Sequence, residues 1–275
     1  MIRTLLIASF VCSVFVANAA TAALIAYEPF DYAPVGSPLL GKSGSFGFSG
    51  GWRAGGFNAS INSNYVIADD SLAFGNLLRS GNSISTPSVG AIAGLTRDLA
   101  SPLGQSDSTV YISMLIQPQN PLHGGAFNGF LGLVFEAAGE PELFVGKPGG
   151  DAINRWVLED RGGTRQHASG ALTQPGSTAL LVVKAEFFAS PNLNDRSTLY
   201  VNPTPGGPEP ATGVVKQDAI FGAVQGMTLY STGAMRFDEL RLGQTYADVT
   251  PIPEPSAIVL LTCGIATAAL VMRRP

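Results

Sequence analysis

Short runs of apolar or alternating residues recur along the middle of the chain, and turn-forming residues end each run. The runs of strand length are Val110–Ile116, Phe130–Phe135, Leu143–Val145, Trp156–Leu158, Leu180–Phe188, Leu199–Val201, Met227–Tyr230 and Phe237–Leu242. Few segments show the helical repeat over a length that could connect parallel strands. The pattern therefore predicts an all-β fold in which two antiparallel sheets pack as a sandwich.

The segment before these runs is looser and rich in glycine and serine. We expect Gly41–Gly56 to form a loop that packs on the domain, because aromatic residues are interleaved in it and beside it: Phe46, Phe48, Trp52 and Phe57. Tyr27–Tyr32 is predicted to open the domain as an edge strand, since Pro29 cannot donate to the ladder of a central strand.

The composition agrees with a chain of many short strands. Of the 275 residues only 13% are charged, whereas 33 are glycine and 19 are proline. These proportions favour strands joined by tight turns. The formal net charge is −4 and no run of Lys or Arg is present, so nucleic acid is not expected as a partner. The two cysteines, Cys12 and Cys263, lie in the terminal apolar runs, and the region between them contains none. A disulfide scaffold in the domain is therefore excluded.

The N-terminus has the three parts of a secretion signal. A positive start at Met1–Arg3 precedes the apolar run Leu5–Val16, and small residues follow it. We predict a signal peptide over residues 1–22, exported by the Sec machinery and cut by signal peptidase after Ala19 or Ala22. A permanent N-terminal anchor is the alternative, although the apolar run is short for one.

Residues 251–275 also fall into three parts. Pro253-Glu254-Pro255 comes first, residues 256–272 carry no charge, and Arg273-Arg274 nearly ends the chain. The apolar part is predicted to form a transmembrane helix of about 25 Å. The arginines would stay cytoplasmic, which places the large domain outside.

Ile252-Pro253-Glu254-Pro255-Ser256, the apolar helix and the closing arginine pair together resemble the PEP-CTERM sorting signal. The resemblance implies an exosortase, an integral-membrane protease-transpeptidase, as a partner, and only a transient anchor in the inner membrane. It also implies a Gram-negative-type bacterium that makes exopolysaccharide, with this protein at the cell surface or in the extracellular matrix. An ordinary single-pass anchor is the alternative. Pro208-Glu209-Pro210 repeats the tripeptide without a following helix, and we interpret it as a plain loop.

The order of the strands carries a second resemblance. Tyr111–Ile116, Leu143–Lys147, Leu181–Lys184, Leu199–Pro203 and Phe237–Gly243 are similar to strands of laminin-G/concanavalin-A-like jelly rolls. This implies that residues 23–250 form one jelly-roll domain. Lectins, adhesion modules and glycosidases all use this fold, so the fold alone does not choose a function.

Three patterns in the sequence bear on catalysis, and none predicts an enzyme. Gly47–Gly51 fits G-x-S-x-G, but a nucleophile elbow needs a strand before it and a helix after it. His123 and His167 lie in glycine-rich stretches where nothing positions a base. A glycosidase needs two carboxylates on one face: Glu140 and Glu142 have the i, i+2 spacing, but Pro141 between them predicts a turn, and the adjacent Glu159 and Asp160 would point to opposite faces of a strand.

One carboxylate pair could hold a metal. The alternation of the last strand slips at Asp238-Glu239, which predicts a β-bulge there. First and last strands of jelly rolls often run side by side, so Glu28 and Asp238 could bind a structural Ca²⁺. The alternative is that Asp238 and Glu239 are solvated or paired with Arg236 and Arg241. No other cofactor is expected.

Aromatic residues offer the last candidate site. Trp52 could stack on a sugar ring from an exposed position, whereas Trp156 between Arg155 and Val157 is expected in the core. The sequence thus predicts an exported, non-catalytic matrix protein that is associated with exopolysaccharide. A carbohydrate-binding, lectin-like module is the alternative, and a glycosidase is less favoured.

Overall fold

The computed structural model describes residues 24–55, 65–86, 92–119, 129–135, 141–148, 154–160, 166–190, 193–219 and 222–253. The predicted signal peptide with Ala19 and Ala22, the predicted helix over 256–272, and Glu254, Pro255, Arg273 and Arg274 lie outside these ranges, as does His123. Within the described ranges, no helix has the length and apolar character needed to cross a membrane.

Fifteen strands and one short helix form in the described ranges. They are β1 Leu24–Glu28, β2 Phe48–Ala54, β3 Val66–Ala68, β4 Ser83–Ser85, β5 Ile92–Leu103, β6 Ser108–Pro118, β7 Gly129–Phe135, β8 Pro141–Lys147, β9 Arg155–Asp160, β10 Gln166–Leu172, β11 Ala179–Phe187, β12 Asp195–Val201, β13 Val214–Ala219, β14 Val224–Thr232, β15 Met235–Gly243 and α1 Tyr246–Val249. Each of the predicted apolar runs lies in a strand, so the all-β prediction is confirmed. The predicted edge strand Tyr27–Tyr32 is corrected, because the strand there is β1, Leu24–Glu28, and residues 29–32 lie outside it.

The strands form two antiparallel sheets. Sheet A has the order β13-β12-β11-β6-β15-β4-β3, and β1 also pairs with β15. Sheet B has the order β10-β9-β8-β7-β14-β5-β2. The predicted neighbourhood of first and last strands is therefore confirmed, with Glu28 opposite Leu240. Since β1 ends at Glu28, Pro29 lies just beyond the ladder.

The main core fills the space between the sheets. Residues at alternate positions of both sheets meet there, among them Met114, Leu181 and Phe237 of sheet A and Leu95, Trp156 and Leu229 of sheet B. Burying one such large apolar side chain contributes about 1.5–3 kcal/mol to the free energy of folding. The inner faces of the two sheets therefore hold the sandwich together, and Trp156 is a core residue as predicted.

The segment Gly41–Gly56 corrects one prediction. Gly56 and Phe57 lie outside the described residues; residues 41–55 pack on the domain as expected, but residues 48–54 form β2, an edge strand of sheet B that pairs with β5. The glycines concealed this strand, because it is interrupted by an irregularity between Ser49 and Arg53. A strand with glycines and an irregular register lacks the unbroken alternation that predicts strands.

A smaller apolar cluster lies on the opposite, outer face of sheet A. Leu115, Leu180 and Val182 of the sheet pack there against side chains from residues 69–82 and from α1. We call residues 69–82, 203–213 and 244–252 together the outer layer. Backbone hydrogen bonds join its segments, from Leu78 N to Pro251 O at 2.8 Å and from Gly206 N to Thr250 O at 2.8 Å. The outer layer covers one end of the face and leaves the other end open.

The predicted bulge is present in β15. The register with β6 shifts between Asp238 and Arg241, and Glu239 has a φ of +52°. The extra residue leaves Phe237 and Leu240 both in the main core. The slip in the sequence pattern therefore had a structural cause.

Candidate functional site

Trp52 is not the exposed sugar platform that the sequence suggested. Only 1% of the residue is exposed, and its ring stacks on Phe30 with 6.1 Å between the centroids. The indole Nε1 donates a hydrogen bond of 3.0 Å to Glu28 Oε2. The prediction of sugar stacking at Trp52 is wrong, because the side chain belongs to the core.

Glu28 lies on the inner face of sheet A. Its Oε2 accepts hydrogen bonds from Arg97 Nη1 at 2.5 Å and from the Tyr32 hydroxyl at 2.7 Å, and its Oε1 accepts one from Phe30 N at 2.9 Å. The carboxylate is fully buried. Protein donors therefore surround both of its oxygens.

Asp238 lies on the outer face, opposite Leu115 of the outer cluster. Its Oδ2 accepts hydrogen bonds from Ser71 Oγ and Leu72 N, and its Oδ1 accepts one from Glu239 N, each at 2.7 Å. Burial, followed by the charge of Glu239, raises the pKa of Asp238 to about 8. These contacts fasten the segment 69–82 to the sheet.

Glu239 serves the same segment. It accepts hydrogen bonds from Ser80 N at 2.6 Å and from the Tyr27 hydroxyl at 2.8 Å, and it forms an ion pair with Arg241. The pairing of Glu239 with Arg241 agrees with the structural alternative to a calcium site. Glu28 and Asp238 lie on opposite faces of sheet A and are not brought together. Among the described side chains, no three His, Cys, Asp or Glu groups come close enough to hold a metal ion.

The structure also shows where two residues of the possible catalytic patterns lie. Ser49 of the G-x-S-x-G pattern lies in β2, and the chain continues as a strand to Ala54 without the helix that a nucleophile elbow needs. His167 lies in β10 with its Nδ1 2.7 Å from the carbonyl oxygen of Val215. Neither residue is arranged as part of a triad.

A site that the sequence did not predict lies at the open end of the outer face. Its centre is Glu209, from the connection between β12 and β13. Glu209 Oε2 accepts a hydrogen bond from the Tyr111 hydroxyl and Oε1 accepts one from the Tyr200 hydroxyl, both at 2.7 Å. Lys184 Nζ lies 3.4 Å from Glu209 Oε1. Four residues from three strands and one loop thus meet at one carboxylate.

The ion pairs continue across the sheet from this centre. Lys184 Nζ is also 3.8 Å from Glu186 Oε1, and Arg196 Nε is 3.6 Å from Glu186 Oε2. The register explains the contact, since Glu186 lies directly opposite Arg196 on the neighbouring strand. We call Arg196, Glu186, Lys184 and Glu209 the charge ladder. Its side chains are 24–46% exposed, so solvent reaches all four.

Two hollows flank Glu209. The β12 hollow, of about 400 Å³, is lined by the whole charge ladder and by Thr198, Tyr200, Val215 and residues 210–213. The α1 hollow, of about 470 Å³, is lined by Thr109, Tyr111, Lys184, Gln244 and residues 207–209 and 245–247. Lys184 and Glu209 belong to both hollows, so the hollows meet at this pair.

The protonation states of the centre follow from its contacts. Burial acts to raise the pKa of Glu209, but hydrogen bonds from Tyr200 and Tyr111 and the charge of Lys184 outweigh it and lower the pKa. Burial and the hydrogen bonds to Glu209 raise the pKa of both tyrosines. Glu209 is therefore ionised at neutral pH, and both tyrosines keep their protons.

Aromatic packing against α1 holds the rings of Tyr111 and Tyr200 in place. The Tyr246 ring of α1 meets Tyr111 edge-on at 6.2 Å and Tyr200 edge-on at 6.3 Å between centroids. Tyr111 and Tyr200 are each only 7% exposed. Their rings support the site, and it is the charge ladder that faces solvent.

Part of this site could have been found from the alternation of one predicted strand. In β11, Lys184 and Glu186 alternate with the buried residues Val183, Ala185 and Phe187. Such alternation assigns the polar side chains to the face away from the core. Glu209 gives no such signal, because it lies between two prolines in a loop, where no alternation assigns its side chain to a face.

Comparisons with known proteins assign this chain to no family. No protein-family model and no curated protein matches this chain. The globular domain of T. cruzi calreticulin matches with a TM-score of 0.48 and 10% identity, over 80% of this chain and 94% of that one. Alginate lyase Aly36B matches with a TM-score of 0.47 and 14% identity, over 82% and 98%.

A further solved structure is domain 4 of AbnA, a GH43 extracellular arabinanase from Geobacillus stearothermophilus, in complex with arabinotriose. It matches with a TM-score of 0.46 and 16% identity, over 84% of this chain and 98% of that one. At these identities no ligand or activity carries over to this chain.

Proposed function

We propose that this chain is a non-catalytic, carbohydrate-binding protein and that the two hollows beside Glu209 are its binding site. The observation that carries the proposal is the charge ladder, in which Arg196, Glu186, Lys184 and Glu209 alternate in sign along an open groove. A sugar ring presents neighbouring hydroxyl groups, each of which can donate and accept. Alternating cations and carboxylates offer the matching acceptors and donors, and hydrogen bonds to ionised groups are stronger than neutral ones.

The protonation of the centre supports binding in preference to catalysis. A glycosidase needs one carboxylic acid whose pKa is raised, so that it can protonate the leaving group. The pKa of Glu209 is lowered instead, and the hydroxyls of Tyr111 and Tyr200 are committed to it. Tyrosines with raised pKa values are also poor bases at neutral pH.

The strand order supports the finer assignment of a jelly roll. The chain passes from sheet A to sheet B after β1, β4, β6 and β13, and it returns after β2, β5, β10 and β14. Repeated crossing between two antiparallel sheets is characteristic of jelly rolls. In the proposed fold, sheet A presents the binding groove on its outer face.

Screening the protein against a glycan array, followed by titration of the best ligand, tests the function. Arg196→Ala and Thr198→Val should each weaken binding about tenfold, the loss of roughly one hydrogen bond. Arg53→Ala is the control, because Arg53 forms an exposed ion pair with Asp98 on sheet B. Equal binding by all three variants, or no binding to any glycan, would contradict the proposal.

We further propose that the protein is exported and sorted to the cell surface by an exosortase, where it associates with exopolysaccharide. The two Pro-Glu-Pro tripeptides support this. Pro253 is exposed, directly after the last packed segment, whereas Glu209 of the internal tripeptide is held by two tyrosines. A protease needs an extended, accessible backbone, so the terminal tripeptide is the better substrate.

Intact-mass measurement on the protein from its native host tests the sorting proposal. The mature chain should start after Ala19 or Ala22 and lack the residues after about Pro255. Replacement of Arg273 and Arg274 should leave an uncut form in the inner membrane. A mature chain that still ends at Pro275 would mean that the tail is a permanent anchor.

A further inference from the structure

We infer that the two hollows act as one continuous groove for a linear, uncharged polysaccharide chain that runs across the strands of sheet A. The inference rests on the proposed carbohydrate-binding function and adds the class of ligand and its direction. Its basis is that Lys184 and Glu209 line both hollows. A ligand that touches this pair can extend to either side without leaving the protein surface.

The length of the groove favours a polymer over a single sugar. The β12 hollow reaches Val215 on β13, and the α1 hollow reaches Gln244, directly after β15. Between these ends the sheet order is β13-β12-β11-β6-β15. Four spacings between neighbouring strands amount to roughly 19 Å. Several linked sugar rings fit over this distance.

The charges favour a neutral ligand. Arg196 and Lys184 balance Glu186 and Glu209, so the charge ladder has no net charge. Each cation already lies within 3.8 Å of a carboxylate. The carboxylate of an acidic sugar would meet Glu186 or Glu209 at close range beside any cation it approached, and like charges repel. A hydroxyl group meets no such penalty.

Glu209 is positioned to contact the ligand. Its Oε1 accepts a hydrogen bond from Tyr200 and faces Lys184 Nζ, whereas its Oε2 accepts one from Tyr111 and, as a carboxylate oxygen, can accept a second from a ligand. The loop that carries Glu209 is restrained by Pro203, Pro205, Pro208 and Pro210. Gly206 of the same loop packs so closely on Ile252 that an added Cβ would lie 2.7 Å from its Cγ2. A carboxylate held in place before binding loses little entropy when the ligand arrives.

The length and charge of the ligand are tested by calorimetric titration of the purified protein. The probes are neutral β-linked glucose oligomers of two to six rings and uronic acid oligomers of the same lengths. Affinity for the neutral series should rise with each added ring and then level off, with one ligand bound per chain. The uronic acid series should bind at least about tenfold more weakly. A preference for uronic acids, or an affinity independent of length, would overturn the inference.

Two variants test the continuity of the groove, since each residue lines one hollow only. Arg196→Ala alters the β12 hollow and Gln244→Ala alters the α1 hollow, with Arg53→Ala again as the control. Both should weaken binding of the six-ring oligomer, whereas the shortest oligomer should be sensitive to one of them only. Two independent ligands per chain would overturn the inference and leave the proposed function intact. Failure of every glycan to bind would remove both.

Discussion

Arg97 forms an ion pair with Glu28 inside the sandwich. Arg97 Nη1 lies 2.5 Å from Glu28 Oε2, and the side chains are 1% and 0% exposed. Glu28 comes from β1 of sheet A and Arg97 from β5 of sheet B, so the ion pair connects the two sheets through the core. Tyr32 and Trp52 donate to the same carboxylate oxygen.

Removing one member of this ion pair should be costly. Arg97→Met leaves the buried Glu28 side chain without its ion-pair partner, and the expected loss is about 3–5 kcal/mol in the free energy of unfolding. The exposed pair of Arg53 and Asp98 provides a matched comparison, for which Arg53→Ala should cost at most about 1 kcal/mol. Urea denaturation measures both. Similar small losses in the two variants would show that the buried pair contributes no more than the exposed one.

Asp238 should make the stability of the protein depend on pH. Its pKa is about 8 in the folded protein, compared with about 3.9 in an unfolded chain. Between these values the folded state binds more protons, so the free energy of unfolding should decrease as the pH rises from about 4 to about 8. Denaturation at a series of pH values measures this slope.

Asp238→Asn provides the comparison, because it removes the titrating group. Glu239 also has a raised pKa and keeps its own contribution in the variant. The slope of the wild type should therefore be steeper than that of Asp238→Asn. Parallel slopes would mean that Asp238 is ionised in the folded protein throughout this range.

The hydroxyls of Tyr111 and Tyr200 should control the ionisation of Glu209. Tyr200→Phe removes one of the two hydrogen bonds to the carboxylate, so the pKa of Glu209 should rise and the protein should lose about 1 kcal/mol of stability. NMR titration of the carboxyl carbon measures the pKa. Tyr246→Phe keeps the ring against both tyrosines and should leave the pKa nearly unchanged. An unaltered pKa in Tyr200→Phe would refute the assigned role.

Alanine substitutions at Gly47 and Gly176 distinguish the energetic cost of backbone strain from that of a steric clash. Both have positive φ values, +78° and +75°, but a Cβ at Gly47 would lie 2.1 Å from the carbonyl oxygen of Ile25, whereas one at Gly176 would meet nothing within 4 Å. Gly176→Ala should cost about 1 kcal/mol. Gly47→Ala should cost at least about 2 kcal/mol more, because the β1 backbone would have to move. Thermal and urea unfolding of the two variants give the comparison.

The sequence predicted the strands that carry unbroken apolar runs, and it missed those that do not. β5 is an example: Arg97 occupies an inward position between Leu95 and Leu99 in order to reach Glu28. A charged residue on the core side disrupts the alternation from which strands are predicted. β3 and β4 have only three residues each, which is too short for any periodicity.

The candidate site was harder to predict because its contacts are distant along the chain. Glu209 lies 98 residues from Tyr111, and no local pattern relates them. The bulge at Asp238-Glu239 was predictable because the slip occurs within one strand. The burial of Trp52 could not be predicted, because an aromatic residue in a glycine-rich segment has the same local sequence pattern whether it is exposed or buried.

The position of β15 determines how the domain responds to mechanical tension. A pull on the chain beyond Pro253 acts first on the hydrogen bonds of Pro251 with Leu78 and of Thr250 with Gly206, and then, through α1, on β15. β15 is hydrogen-bonded to β6 along one edge and to β4 and β1 along the other. Because ladder hydrogen bonds lie perpendicular to the strands, tension along β15 shears both ladders together and cannot peel them apart one bond at a time. A domain tethered by its C-terminus, as the sorting proposal implies, would therefore resist being stretched by flow that pulls on a polymer in the proposed groove.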